Sequence, residues 1–154
     1  MRSVAEFFIE GLPAPSGSKN AFVVTPKSGK PRAVLAPASK GQKAWQKEVR
    51  EQSEAAYKGE PIEGPVVVEL EFVFTRPKSH YGTGKNSCKL KPSAPDFHII
   101  KPDLDKLVRS TLDGMTGVLF ADDKQVVEST ACKYYGGLNG CRVTIKDGES
   151  SWAI

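Results

Sequence analysis

Residues 65–75, Pro-Val-Val-Val-Glu-Leu-Glu-Phe-Val-Phe-Thr, constrain the fold more than any other stretch of the chain. Val66, Val68, Leu70, Phe72 and Phe74 alternate onto one side, and Val67, Glu69, Glu71 and Val73 onto the other. A period of two, rich in β-branched and aromatic residues, predicts a strand half-buried in a sheet. Further on the period changes. Leu104, Leu107, Val108, Thr111, Leu112 and Met115 recur at helical spacing, which predicts an amphipathic helix over 103–116 with Gly117 placed for its C-terminal cap. Residues 125–135 and 141–146 then read as two more strands.

Upstream the pattern is looser. Residues 7–12 read as a first strand, ended by Pro13, Pro15 and Gly17. Residues 21–25 and 32–35 suggest a hairpin with a basic tip at 27–31. Ser39 suits the N-cap of a helix running to about Tyr57, where Gly59 and Pro61 stop it. Strands interleaved with two helical patterns imply an α/β (α+β) fold, a small mixed sheet with two main helices packed on it. A length of 154 residues suits a single domain spanning 1–154. Residues 76–101 show no period and hold Pro77, Gly82, Gly84, Pro92 and Pro95, so they read as a long, basic, flexible loop. Loops of that length in compact domains are usually either functional or disordered.

No apolar run is long enough to cross a bilayer, and the first ten residues lack the apolar core of a secretory signal. Cys88, Cys132 and Cys141 are odd in number and form no CxxC pair, so buried or partly buried thiols in a reducing cytoplasm are expected.

The net charge of +4 says little, but its distribution says more. Residues 19–43 hold six Lys/Arg and no acid, and residues 76–101 hold six Lys/Arg and only Asp96. Residues 103–128 reverse the balance, with six acids against Lys106, Arg109 and Lys124. An acidic centre between basic segments suits a metal-loaded site that handles a polyanion. Lys27, Lys30 and Arg32 at the hairpin, and Arg76, Lys78, Lys85, Lys89, Lys91 and Lys101 along the loop, are the candidate DNA-binding cations. His80, Tyr81, Phe97 and His98 interleave with them, a mixture suited to DNA backbone and bases.

The acidic residues carry the chemistry. Pro102 disfavours helical backbone at Lys101, so the helix opens at Asp103. Asp105, Arg109 and Asp113 then share one face at i, i+4 and i+8. Asp103 and Asp105 lie on different sides of an ideal helix, but a residue at the cap can swing round. Asp122 and Asp123 return at the head of the next strand, so carboxylates from two elements can converge. Such oxygens suit one or two Mg²⁺ ions, for which Mn²⁺ would substitute. A bound ion makes water a nucleophile near neutral pH and withdraws charge from a phosphate, and two ions about 4 Å apart serve attacking and leaving oxygens together. Asp103, Asp105 and Asp123 are the first candidates as ligands, with Asp122 a further one. Duller roles stand beside these. Asp103 can simply cap the helix, Asp105 and Arg109 can be a surface ion pair, Asp122 can make an Asx turn, and Asp113 reads as a solvated or structural carboxylate.

The order of these pieces resembles the RusA family of Holliday-junction endonucleases. Its D-x-D-N-x-x-K segment matches Asp103-Leu104-Asp105-Lys106-Leu107-Val108-Arg109. Its Leu-Asp-Ala-Leu stretch matches Leu112-Asp113-Gly114-Met115, and its D-D-x-Q-V-V matches Asp122-Asp123-Lys124-Gln125-Val126-Val127. Ile9 to Ser16 is similar to the family's first strand and Pro-Ser turn. The resemblance implies a homodimer that binds four-way junctions or other branched DNA by shape. It also implies paired symmetric nicks made with Mg²⁺, metal-site acids at Asp103, Asp105 and Asp123, and an active-site cation at Arg109. It further implies a role in recombination and repair, and a bacterial cytoplasm, with a phage or prophage origin common in the family. Lys106 stands where the family often has Asn and Arg109 where it often has Lys. Arg keeps the charge but cannot donate a proton near neutral pH, so Lys106 is the alternative cation.

Two rivals compete. Pro102-Asp103 with Asp122-x-Lys124 formally matches a PD-(D/E)xK nuclease, although a helix pattern separates the halves. A non-catalytic DNA-binding module would explain the basic loops, but not the clustered acids.

Overall fold

The computed structural model describes residues 2–17, 19–37 and 41–148. In chain order the elements are β1 (Arg2–Glu10), β2 (Lys19–Val24), β3 (Arg32–Pro37), α1 (Gln42–Ala56), β4 (Val66–Phe74), α2 (Leu104–Met115), β5 (Val126–Tyr135) and β6 (Gly140–Asp147). The main sheet has the order β1-β6-β4-β5. β6 runs antiparallel to both β1 and β4, whereas β4 and β5 are parallel. A parallel pair needs a long crossover, and residues 75–125, which include α2, supply it. β2 and β3 form a separate antiparallel hairpin. The architecture is the expected one, two helices on a small mixed sheet.

β4 behaves as its alternation requires. Val66, Val68, Leu70, Phe72 and Phe74 are buried beneath the helices together with Ile9, Val143 and Ile145 from the neighbouring strands. On the other face Glu69 pairs with Lys146 at 2.9 Å and Glu71 with Arg142 at 3.7 Å. Val67 and Val73 are also buried there, so the central strand is covered more fully than a half-buried one.

α1 and α2 pack against each other. Trp45 is 1% exposed and its indole N–H donates to the Thr111 hydroxyl at 3.1 Å, while the Gln46 amide donates to the Ser110 carbonyl at 3.3 Å. Gly117 adopts a φ of 88°, as a helix-ending glycine should, and the Arg50 guanidinium donates to the Thr116 carbonyl at 3.0 Å.

Three expectations change. β1 spans Arg2–Glu10 rather than 7–12, because pairing along β6 recruits residues whose edge position hides any alternation. Leu12 lies beyond it and is exposed. α1 begins at Gln42 behind Gly41, and Ser39 lies outside the described residues. Cys88 and Cys132 are exposed and only Cys141 is buried, where desolvation pushes its thiol pKa far up. Among the described residues no helix is long and apolar enough to cross a membrane.

Candidate active site

α2 presents its apolar stripe to the core and its acids to solvent. Leu107, Thr111 and Met115 are buried, whereas Asp105, Arg109 and Asp113 are exposed on the opposite side. Asp103 sits at the N-cap in extended backbone, and its carbonyl accepts the first helical hydrogen bond, from Leu107 N at 3.1 Å. Its carboxylate makes no capping bond. Instead it stands 3.5 Å from Lys106 Nζ, with both side chains at least half exposed, an arrangement worth little in stability. The backbone alone therefore starts the helix, which leaves the Asp103 carboxylate available for another role. Asp105 and Arg109 do not form the i,i+4 ion pair, and among the described residues no hydrogen bond or ion pair engages Asp105.

The head of β5 is a built turn. Residues 123–125 form a single 3₁₀ turn capped by Asp122, whose carboxylate accepts from Lys124 N at 2.9 Å. The Gln125 side chain closes the box by accepting from Asp122 N at 2.8 Å. Its amide also donates to the carbonyls of Ile62, at 2.6 Å, and Gly64, at 2.9 Å. That hydrogen bond from Lys124 N holds the Asp122 carboxyl below its ordinary pKa. Asp122 thus performs the Asx role, and its carboxyl also interacts with the side chain of Asp123, the next acid in the turn.

Asp113 is where the two elements meet electrostatically. Partial burial, then the charge of Asp123, raise its pKa, and Arg109 opposes the rise. By the helical rise of about 1.5 Å per residue, Asp105 and Asp113 lie roughly 12 Å apart along the axis, with Arg109 between them. Asp123 is therefore coupled to the far end of the acidic face, while Asp103 and Asp105 occupy the near end. Among the described residues no three His, Cys, Asp or Glu side chains gather into a ready-made metal cage.

Lys133, which the sequence reading did not single out, ties the two ends together. It rises from β5, and its ammonium donates to the carbonyls of Ile100 at 2.7 Å and Pro102 at 2.9 Å. The strand that follows Asp123 is thereby fastened to the residues that introduce Asp103. Next to this point an apolar groove of about 560 Å³ runs between Leu12, Pro13, Pro15, Trp45, Phe74 and Pro102.

The basic residues divide. Lys27, Lys30 and Arg32 are exposed at the hairpin, as are Lys78, Lys85, Lys89, Lys91 and Lys101. Arg76 is half-buried. Its guanidinium donates to the Pro95 carbonyl at 2.7 Å, lies 3.3 Å from His80 Nδ1 and covers the Tyr135 ring at 4.5 Å. It builds the loop. The loop is also more ordered than its composition suggests, with Tyr81 bridging Leu90, Gly82 N bonded to Lys89 O, and Lys91 N bonded to His80 O.

Asp103 opens a helix and Asp122-x-Lys124 lies in a 3₁₀ turn, so the PD-(D/E)xK halves do not sit on neighbouring strands. The family model described as endodeoxyribonuclease RusA matches residues 14–146. No curated protein matches the chain.

Proposed function

This chain belongs to the RusA endodeoxyribonuclease family, and on that footing we propose that it resolves four-way DNA junctions as a homodimer, by paired symmetric nicks that require Mg²⁺. The donor chemistry fits a hard cation. Asp103, Asp105 and Asp123 offer carboxylate oxygens, the first two without a capping or i,i+4 role, and the charge of Asp123 reaches Asp113 on the same helix face. A separated set suits Mg²⁺, which binds through one or two carboxylates, waters and substrate phosphates rather than in an all-protein cage. When bound, the ion lowers the pKa of a coordinated water and withdraws charge from the scissile phosphate.

The chain's own residues do the rest. Asp103 and Asp105 hold the near end of the face, and Asp123 the far end. Asp122 and Gln125 fix the turn that presents Asp123. Arg109, between the ends, offsets charge on the phosphate, with Lys106 beside Asp105 as the second cation. The exposed lysines at 78–101 and the hairpin cations hold the junction arms through phosphate contacts.

The family match over residues 14–146 carries this reading, and the charge of Asp123 felt at Asp113 of α2 supports bringing acids from the two elements to one face. A synthetic four-way junction, incubated with and without Mg²⁺ and with cut sites mapped, tests it. Symmetric nicks with Mg²⁺ alone are expected, with Asp105→Asn binding the junction but not cutting it. Full nicking by Asp105→Asn refutes the assignment, and tight binding without cleavage in either condition favours a binding module.

A further inference from the structure

Residues 97–100 carry an unusual load of exposed apolar surface. Phe97, Ile99 and Ile100 are 77%, 80% and 57% exposed, while His98 among them is buried. A single exposed hydrophobic needs no explanation, but three within four residues make a patch that calls for a partner.

The segment cannot easily fold these side chains away, because its backbone is fastened on both sides of them. Pro95 is held by Arg76, whose own guanidinium covers Tyr135. The His98 ring stacks on Phe74 with centroids 4.5 Å apart and lies 5.0 Å from Tyr135. Lys133 holds the carbonyls of Ile100 and Pro102. With His98 turned inward, Phe97 and Ile99 project outward on either side of it. Three residues beyond Ile100 comes Asp103.

The surrounding charge selects the occupant. Residues 76–101 hold six Lys/Arg against Asp96, and Lys91 and Lys101 are exposed. In a symmetric contact between two copies the same patch meets itself, which would bring these cations together. A polyanion has the opposite effect, and nucleic acid also carries flat apolar rings that such side chains can enter or stack on. The end of the same segment, Lys101-Pro102, lines the mostly apolar groove, which offers an unstacked base an apolar surface to lie against.

We propose that Phe97 and Ile99, supported by Ile100, form an apolar wedge that enters the base stack at the branch point of the DNA, directly beside the acidic face. The position of the branch point rests on the nuclease reading above. The wedge itself requires only that branched DNA binds there.

The test is a four-way junction with 2-aminopurine at the branch point, bound with Ca²⁺ in place of Mg²⁺ so that binding is read without cutting. The natural protein raises the fluorescence at saturation. The Phe97→Ala/Ile99→Ala variant keeps junction affinity within about tenfold, the scale of one lost stacking contact, but loses most of the rise. Phe97→Leu, still apolar, retains part of it. A full rise with the double variant overturns the wedge, as does no rise with the natural protein. A double variant that changes its sedimentation while keeping the rise assigns the patch to a second copy of the chain. Cleavage in Mg²⁺ without a fluorescence rise removes the wedge and leaves the nuclease. A rise without cleavage removes the nuclease and leaves the wedge. Failure to bind the junction removes both.

Discussion

Replacing Gly114 by alanine tests how tightly α1 sets the position of α2. A Cβ at Gly114 would stand 2.8 Å from Val49 Cγ1, 2.9 Å from Val49 Cβ and 3.2 Å from the Gln46 carbonyl oxygen. Carbon atoms pack best at about 3.5–4.0 Å, so the helices must part by several tenths of an ångström or Val49 must leave its rotamer. Val49 is 0% exposed, and a β-branched residue in a helix has one strongly preferred χ1. Overpacking of this kind costs about 1–3 kcal/mol. Against it, Gly→Ala gains at most about 1 kcal/mol of helix propensity, and less at the last turn. Overpacking wins, and a net loss of about 0.5–2 kcal/mol is predicted. Urea unfolding followed by tryptophan fluorescence reads it as a lower midpoint with unchanged slope. Because α2 carries Asp105 and Arg109, nicking should also slow at temperatures where the variant is fully folded. Equal or higher stability would show that the two helices separate without penalty and that Val49 does not fix the position of α2.

Three further outcomes are expected. Lys133→Met removes two charged hydrogen bonds to partly solvated carbonyls, so a loss of about 1–2 kcal/mol and slower nicking are predicted. No change in either the urea midpoint or the nicking rate contradicts the clamp. Burial, and after it the charge of Lys133, hold His98 below its ordinary pKa. The stability this neutral ring contributes is present above about pH 6.5 and is lost as pH falls through the depressed folded value. Thermal melts of His98→Phe should therefore lose less stability than the natural protein between neutral pH and mildly acidic pH, and parallel curves refute the assignment. Asp113 has its pKa raised, so protonation favours the folded state and this contribution is lost as pH rises through the folded value. Asp113→Asn is accordingly more stable than the natural protein at pH 7, and a less stable variant contradicts the coupling to Asp123.

Much of the fold was legible because period and burial agree. β4 alternates and is buried on the expected face, and α2 turns its stripe inward, so both could be read without tertiary knowledge. The start of β1 could not, since its residues are selected by pairing with β6 at the sheet edge and not by alternation. The order within 76–101 was hidden for a related reason. Its fasteners are Arg76 to Pro95, His98 on Phe74, and Lys133 to Ile100, and the last two join residues 24 or more positions apart; no local pattern announces such contacts. For the site, acids at a helix start followed by a pair at a strand head were visible as motifs. Their arrangement was not. Asp113, which reads as a bystander, is the residue that feels Asp123, and Asp122 is engaged by its own turn. A glutamine at the end of a turn, or a lone lysine in a strand, gives no sign that Gln125 and Lys133 fasten the β5 head and the start of α2 to the same framework.

The central claim is that the near-end acids Asp103 and Asp105 and the far-end Asp123 take up divalent cation together when branched DNA is present. Paramagnetic broadening of backbone amides by substoichiometric Mn²⁺, recorded with a junction bound to a cleavage-blocked Asp105→Asn protein and again with the natural protein on a non-cleavable junction, measures this directly. The account predicts that in the natural protein the amides of 103–106 and 122–124 broaden together at the same Mn²⁺ concentration, and that Asp105→Asn weakens both. Broadening confined to one of the two segments, at any Mn²⁺ concentration that leaves the rest of the spectrum sharp, would contradict it.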